Sequence, residues 1–265
     1  MRLERLAAVA LRQFFLIRGS LSRVLPLFAW VAVDMVLWGF LTRYLNSVAS
    51  AGLDFTATLL GAVLLWDFFT RVMQGVTMAF FEDVWSRNFL NFFATPLSIS
   101  EYLGGLVVSS VATSAVGLAV MLALASLAFG LSFLAYGLVV APVLLVLFVF
   151  GIALGILGCA IVLRLGPAAE WFIWPIPAMV APFAGVFYPI SALPRWMRLV
   201  SRVLPPAYVF ESLRAAAAGR PPSGLGTAAA LAALDVALAC WIFTATYRYA
   251  VRTGLIARYS AETVS

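Results

Sequence analysis

Four ionisable side chains interrupt the long apolar runs of this sequence: Asp34, Asp67, Arg71 and Asp235. An ionised carboxylate at the centre of a hydrocarbon layer costs roughly 2.5–3.5 kcal/mol on insertion scales, so each must face protein or water rather than lipid. Asp67 and Arg71 stand four residues apart, where an acid and a base on one helix face neutralise each other. For Asp34 and Asp235, hydrogen bonding between helices and a place on a solute path are both open. Histidine is absent, which removes imidazole acid–base chemistry, imidazole metal ligands and Ser-His-Asp triads together. Cys159 and Cys240 lie in apolar runs without CxxC spacing, so neither a disulfide framework nor a metal site is indicated. A membrane-embedded enzyme is thereby the weaker class.

The elements that must position these groups follow from composition. The 265 residues are 64% hydrophobic and 11% charged, against roughly 45–50% and 25% in soluble domains. Mean hydropathy is +1.06. This is the composition of an all-α integral membrane protein. The net charge of +6, carried entirely by arginine, fits anionic lipid head groups. No basic run is interleaved with exposed aromatics, so no nucleic acid is expected.

Residues 1–23 place Leu3, Leu6, Val9 or Ala10, Phe14 and Ile17 at helical spacing among Arg2, Arg5, Arg12, Arg18 and Arg23, which predicts an interfacial helix on the cytoplasmic face. A six-span bundle is expected over 24–250, with spans near 24–44, 56–80, 102–129, 136–163, 170–187 and 226–247. The fifth is punctuated by Pro167, Pro175, Pro177, Pro182 and Pro189 and should be a broken helix packed on protein. Gly151, Gly155 and Gly158 in the fourth have the spacing of a close helix contact. Residues 251–265 form a cytoplasmic tail. With both ends inside, ten arginines lie on the cytoplasmic side against six outside, a bias that supports this orientation.

Two polar stretches stand between the spans. Glu82 to Glu101 is too polar to cross a bilayer, and Trp85, Phe89, Phe92 and Phe93 recur there at i, i+4, i+7 and i+8, one face of a short helix that Thr95-Pro96 ends. Glu82 and Asp83 are expected at its start, where the helix dipole favours anions. Such a helix serves as a floor against lipid or as a handle for a soluble partner. In Tyr188 to Arg214, Arg195, Arg198 and Arg202 share one face while Trp196, Leu199, Val203 and Leu204 form an apolar stripe on another, with Glu211 and Arg214 one turn apart further on. A re-entrant helical pair on the outer side is expected, its stripe buried and its arginines at the head groups.

The sequence FYPISALPRWMRLVSRVLPPAYVFESLR before the last span, and WSRNFLNFFATPLSISEYLGG after the second, resemble the permease of a type-2 ABC exporter over about residues 10–250. The resemblance implies one transmembrane domain over 1–265, in a bacterial inner membrane, working as a pair with a second copy and two ATPase subunits that carry ATP and Mg. The loop would be the family's coupling helix, with Glu82, Asp83, Trp85, Arg87, Phe89, Phe92 and Phe93 as ATPase contacts. Asp34, Asp67, Arg71, Phe183 and Tyr188 become candidates for the substrate path, with the first and fifth spans facing the second copy. Arg195, Trp196, Arg198, Arg202, Glu211 and Arg214 become candidates for an outer gate. The chain has no P-loop and, lacking lysine, cannot have one. The expected function is ATP-driven outward movement of a hydrophobic or amphipathic compound: a drug-like molecule, a lipid or a lipid-linked glycan. The alternative is an ion-coupled transporter or channel built on the intramembrane aspartates.

Overall fold

A computed structural model of the chain describes residues 2–19, 21–48, 59–86, 92, 95–130 and 138–255. Among these, every regular element is helical: α1 (Leu3–Arg18), α2 (Leu21–Val48), α3 (Gly61–Trp85), α4 (Ile99–Phe129), α5 (Val140–Leu165), α6 (Ile176–Ala184), α7 (Arg195–Ser201), α8 (Pro205–Ala217) and α9 (Leu225–Thr253). Three of them, α4, α5 and α9, are long and apolar enough to cross a membrane. With 28 and 25 residues, α2 and α3 are about 42 and 37 Å long at 1.5 Å per residue, enough for a hydrocarbon layer of about 30 Å.

The centre of the bundle is the contact between α3 and α5. Val72, Val76 and Thr77 of α3 meet Gly151, Gly155 and Gly158 of α5 in that order, so the two helices run parallel. The contact is close: a Cβ on Gly155 would lie 2.8 Å from the Val76 Cβ and 2.9 Å from the Met73 carbonyl oxygen. Hydrocarbon tails are as apolar as leucine, so van der Waals packing rather than apolar burial holds spanning helices together, and glycines permit it. The expected small-residue contact is therefore present. Phe69 and Phe150 stack across the same interface with centroids 5.4 Å apart.

Around this pair, α4 packs on α3 through Ser110, whose hydroxyl donates to the Val72 carbonyl at 2.9 Å. On α9, Ala228, Ala232, Ala239, Phe243 and Ala250 are the buried residues. Phe243 lies edge-on to Phe80, and Arg164 at the end of α5 stands 3.7 Å over the Tyr249 ring. The far ends of α3, α5 and α9 thus share one end of the molecule. Outside the main core, Met35 of α2 joins Leu60, Leu64, Met121 and Ala125 in a separate small cluster. A Cβ on Gly39 would fall within the Phe129 ring, which brings that end of α2 to the opposite end of the bundle.

The fifth expected span is not one helix. Pro167–Phe172 forms a 3-10 helix, and α6 has only nine residues, about 14 Å, before Gly185 turns at φ +63°. Pro175 caps the start of α6 and Pro177 sits in its first turn, where a missing N–H costs nothing, while Pro182 lies inside it two residues before its end. The stretch still passes along the bundle, because Ile173 packs near Gly158 and Phe187 stacks on Trp38. Among the described residues the fifth expected span is thus a broken one, as its prolines imply.

The α3–α5 contact makes a direct prediction. Gly155→Ala should destabilise the protein by about 1–3 kcal/mol, since neither the Met73 backbone nor β-branched Val76 can yield. Gly226→Ala, whose Cβ would meet nothing within 4 Å, should be neutral or slightly stabilising. Thermal unfolding in detergent reads both, and equal melting temperatures would contradict the packing.

Candidate functional site

The polar stretch between α3 and α4 begins later than the periodicity implies. No glycine or proline interrupts residues 81–85, so α3 runs on to Trp85. Glu82 and Asp83 therefore occupy its last turn and not the start of a separate helix. An anion at a helix C-terminus opposes the dipole, so Asp83 needs compensation. It finds two partners: the Arg12 guanidinium pairs with Oδ1, and the Tyr102 hydroxyl donates to Oδ2 at 2.7 Å. The Asp83 side chain is 0% exposed, so it cannot serve as a contact for another subunit while this pair holds.

Phe92 is half-buried beside this knot. Its ring lies 4.7 Å from the Arg12 guanidinium carbon and 5.5 Å from the Tyr102 ring. The Thr95 hydroxyl donates to the Phe92 carbonyl at 2.6 Å, forming the turn at Pro96. Trp85 is exposed, at 49%, and Glu82 is partly buried. Arg87, Phe89 and Phe93 lie outside the described residues.

A second knot closes four residues on. Ser98 and Glu101 form a reciprocal cap at the start of α4, the Glu101 carboxylate accepting from the Ser98 amide at 3.0 Å. Glu101 also accepts from the Arg2 amide at 2.7 Å and sits 3.5 Å from the Arg5 guanidinium, which donates to the Pro96 carbonyl as well. Val9 fills the space against Gly105, and Gln13 donates to the Ala79 carbonyl at 3.4 Å. The inward face of α1 is thus Arg5, Val9, Arg12 and Gln13, while Leu3, Leu11, Phe14 and Phe15 are exposed. Of the arginines in this segment, Arg5 and Arg12 turn their side chains inward, to Pro96 and Glu101 and to Asp83, whereas Arg2 contributes its backbone amide.

The path candidates divide into two groups. Asp67 accepts from the Arg71 Nε at 3.0 Å, as the spacing implies, and Asp34 of α2 lies within electrostatic reach of both. Phe183 and Tyr188 belong to α6 and the turn after it, whose Phe187 stacks on Trp38. There the Tyr188 hydroxyl donates to the Pro182 carbonyl at 2.9 Å, and Phe183 meets Trp196 edge-on. Glu211 accepts from the Ile190 amide at 2.8 Å and from Arg214 at 3.1 Å. Arg214 reaches the Val186 carbonyl at 3.5 Å. The FYPIS and FESLR stretches are therefore the two halves of one staple.

Of the remaining gate candidates, Arg195, Arg198 and Arg202 are exposed. The helical pair is present as α7 and α8, but the stripe is not buried within the chain: Trp196, Leu199 and Val203 are each about 60% exposed, at 62%, 60% and 61%. The reason is that α7 touches the bundle by Ser201, which donates to the Phe183 carbonyl at 2.7 Å, and turns its apolar side outward. It is α8 that is embedded, with Phe210 beside Trp66.

Arg12, Tyr102 and Glu101 are site residues that sequence reasoning passed over. Ser98-x-x-Glu101 is a visible capping pattern, whereas nothing local joins Arg12 to a residue 71 positions away. A family model described as ABC-2 type transporter matches residues 7–217. No curated protein matches the chain.

The Arg12–Asp83 pair should show coupling. Arg12→Gln and Asp83→Asn each leave a partner unpaired, so the double variant should unfold at a higher temperature than the two losses added together imply. Contacting residues typically couple by about 0.5–3 kcal/mol. With Arg12 28% exposed, solvent screening places the value in the lower half of that range. Strict additivity in thermal unfolding would show that the pair contributes nothing.

Proposed function

Because this chain belongs to the ABC-2 type transporter family, we propose that it is the membrane-spanning permease of an ATP-driven exporter. It is a multi-pass membrane protein and a transport component, not itself the ATPase. In our reading two copies pair in a bacterial inner membrane with both termini in the cytoplasm, the broken segment after α5 supplying a sixth passage. Two separate ATPase subunits bind ATP and Mg. The cargo is a hydrophobic or amphipathic compound moved outward.

The observation that carries this reading is the seating of the loop after α3. Arg12, Asp83, Tyr102 and Phe92 tie it to three helices at once, so a displacement of the loop is passed to the ends of α3 and α4 through side chains that are already in contact. A loop that merely sealed the membrane surface would need no such ties. Trp85, exposed at the end of α3, and Phe89 and Phe93, which the helical spacing puts on the same side, form the face offered to the ATPase, while Phe92 is turned to Arg12 and Tyr102. Arg195, Arg198 and Arg202 on the exposed α7 meet outer head groups, and the Glu211–Arg214 staple holds the outer turn where cargo is released.

The test is association. Phe89→Ala combined with Phe93→Ala should leave membrane insertion intact and abolish co-purification of the ATPase in detergent. Undiminished co-purification would remove the loop from the ATPase contact.

A further inference from the structure

Among the described residues, the charged group between α2, α3 and α4 holds two carboxylates, Asp34 and Asp67, and one guanidinium, Arg71. Arg71 is committed to Asp67 at 3.0 Å, and among the described residues no hydrogen bond or ion pair ties Asp34. Two carboxylates thus share one guanidinium in a place walled by apolar helices. A second polar group has been left open there. Ser114 of α4 is 3% exposed, and its hydroxyl has no hydrogen-bond partner. It sits between Ser110, which bonds the Val72 carbonyl, and Gly117, whose Cβ would lie 3.5 Å from the Arg71 Cδ. Spacings of four and three put all three residues on the face of α4 that meets α3. One turn along α2 from Asp34, Trp38 stacks on Phe187 with centroids 5.4 Å apart and planes 11° apart.

We propose that this place between α2, α3 and α4 binds the cationic end of an amphipathic molecule, a monovalent organic cation with an apolar body. Asp34 supplies the charge, the Arg71 guanidinium being hydrogen-bonded to Asp67. An ammonium N–H has an acceptor in the Ser114 hydroxyl, and the Trp38–Phe187 stack receives the apolar body and the face of the cation. Leaving a buried hydroxyl and a half-buried carboxylate without partners costs free energy in every empty molecule, and a cation removes both costs when it binds. The proposal rests on the permease reading, since it names the chemical class of the cargo.

The test uses the purified full-length chain in detergent and two probes of the same size and shape but opposite charge, tetraphenylphosphonium and tetraphenylborate. Equilibrium dialysis should show saturable binding of the phosphonium, weakened roughly tenfold or more by Asp34→Asn through loss of the charge interaction and retained by Asp34→Glu. Tetraphenylborate should not compete. Ser114→Ala should spare the phosphonium, which has no N–H, and weaken 1-naphthylmethylamine. Equal phosphonium affinity in Asp34→Asn, or equal or tighter binding of the borate by the unsubstituted chain, overturns the site; the second comparison needs no variant to fold. A chain that binds the cation but holds no ATPase refutes the permease reading alone. A chain that holds the ATPase but does not distinguish the two ions refutes this site alone.

Discussion

A carboxylate with no solvent around it sets the layout of one whole end of this protein. Asp83 lies where the α3 dipole is least hospitable to it, and the Arg12 guanidinium and the Tyr102 hydroxyl together make its burial tolerable. Those two partners come from the first helix and from α4, so satisfying one charge fixes three chain segments relative to each other. Phe92 is then held between the same arginine and the same tyrosine. The route of the loop follows from that, since its turn at Thr95 and Pro96 closes onto Arg5 and the Ser98–Glu101 cap a few residues later. Helix α1 is by this account part of the loop's foundation.

The opposite end is organised by a different device. Backbone groups freed by prolines need acceptors and donors from elsewhere. Glu211 and Arg214 supply them from α8, at Ile190 and Val186, while the Tyr188 hydroxyl serves Pro182. A segment that cannot be a regular helix is thereby kept as a defined shape. Gly185, at φ +63°, lies against the Arg214 guanidinium, where a side chain would be strained and crowded.

How much of this could be read from the chain differs by interaction range. The apolar runs of α4, α5 and α9, the glycine ridge of α5 and the Asp67–Arg71 pair are local periodicities, and each is where the spacing puts it. The extension of α3 through Asp83 is not legible locally, because polarity marks a helix end only where the polar side chain lacks a buried partner, and the partner of Asp83 stands 71 positions earlier. The outward-facing stripe on α7 was misjudged for a related reason: an amphipathic pattern says which residues share a face, not what covers it. The staple joins motifs about 20 residues apart, which the sequence displays as two signatures and only the fold joins as one.

The small cluster around Met35 is separate from the main core. Between α3 and α5, interlocked glycines and valines leave no space for one helix to slide past the other, so this pair behaves as a spine. Among the described residues, helix α2 is attached by Met35 in a cluster of its own, by the Gly39–Phe129 approach with Phe40 edge-on to the same ring, and by the Trp38–Phe187 stack. Much of its remaining apolar surface, including Val33, Val36, Leu37 and Phe40, faces away from the chain. Among the described residues, then, the interlocked pair forms one half of the molecule and a more exposed helix one wall, and Asp34 is carried by the wall.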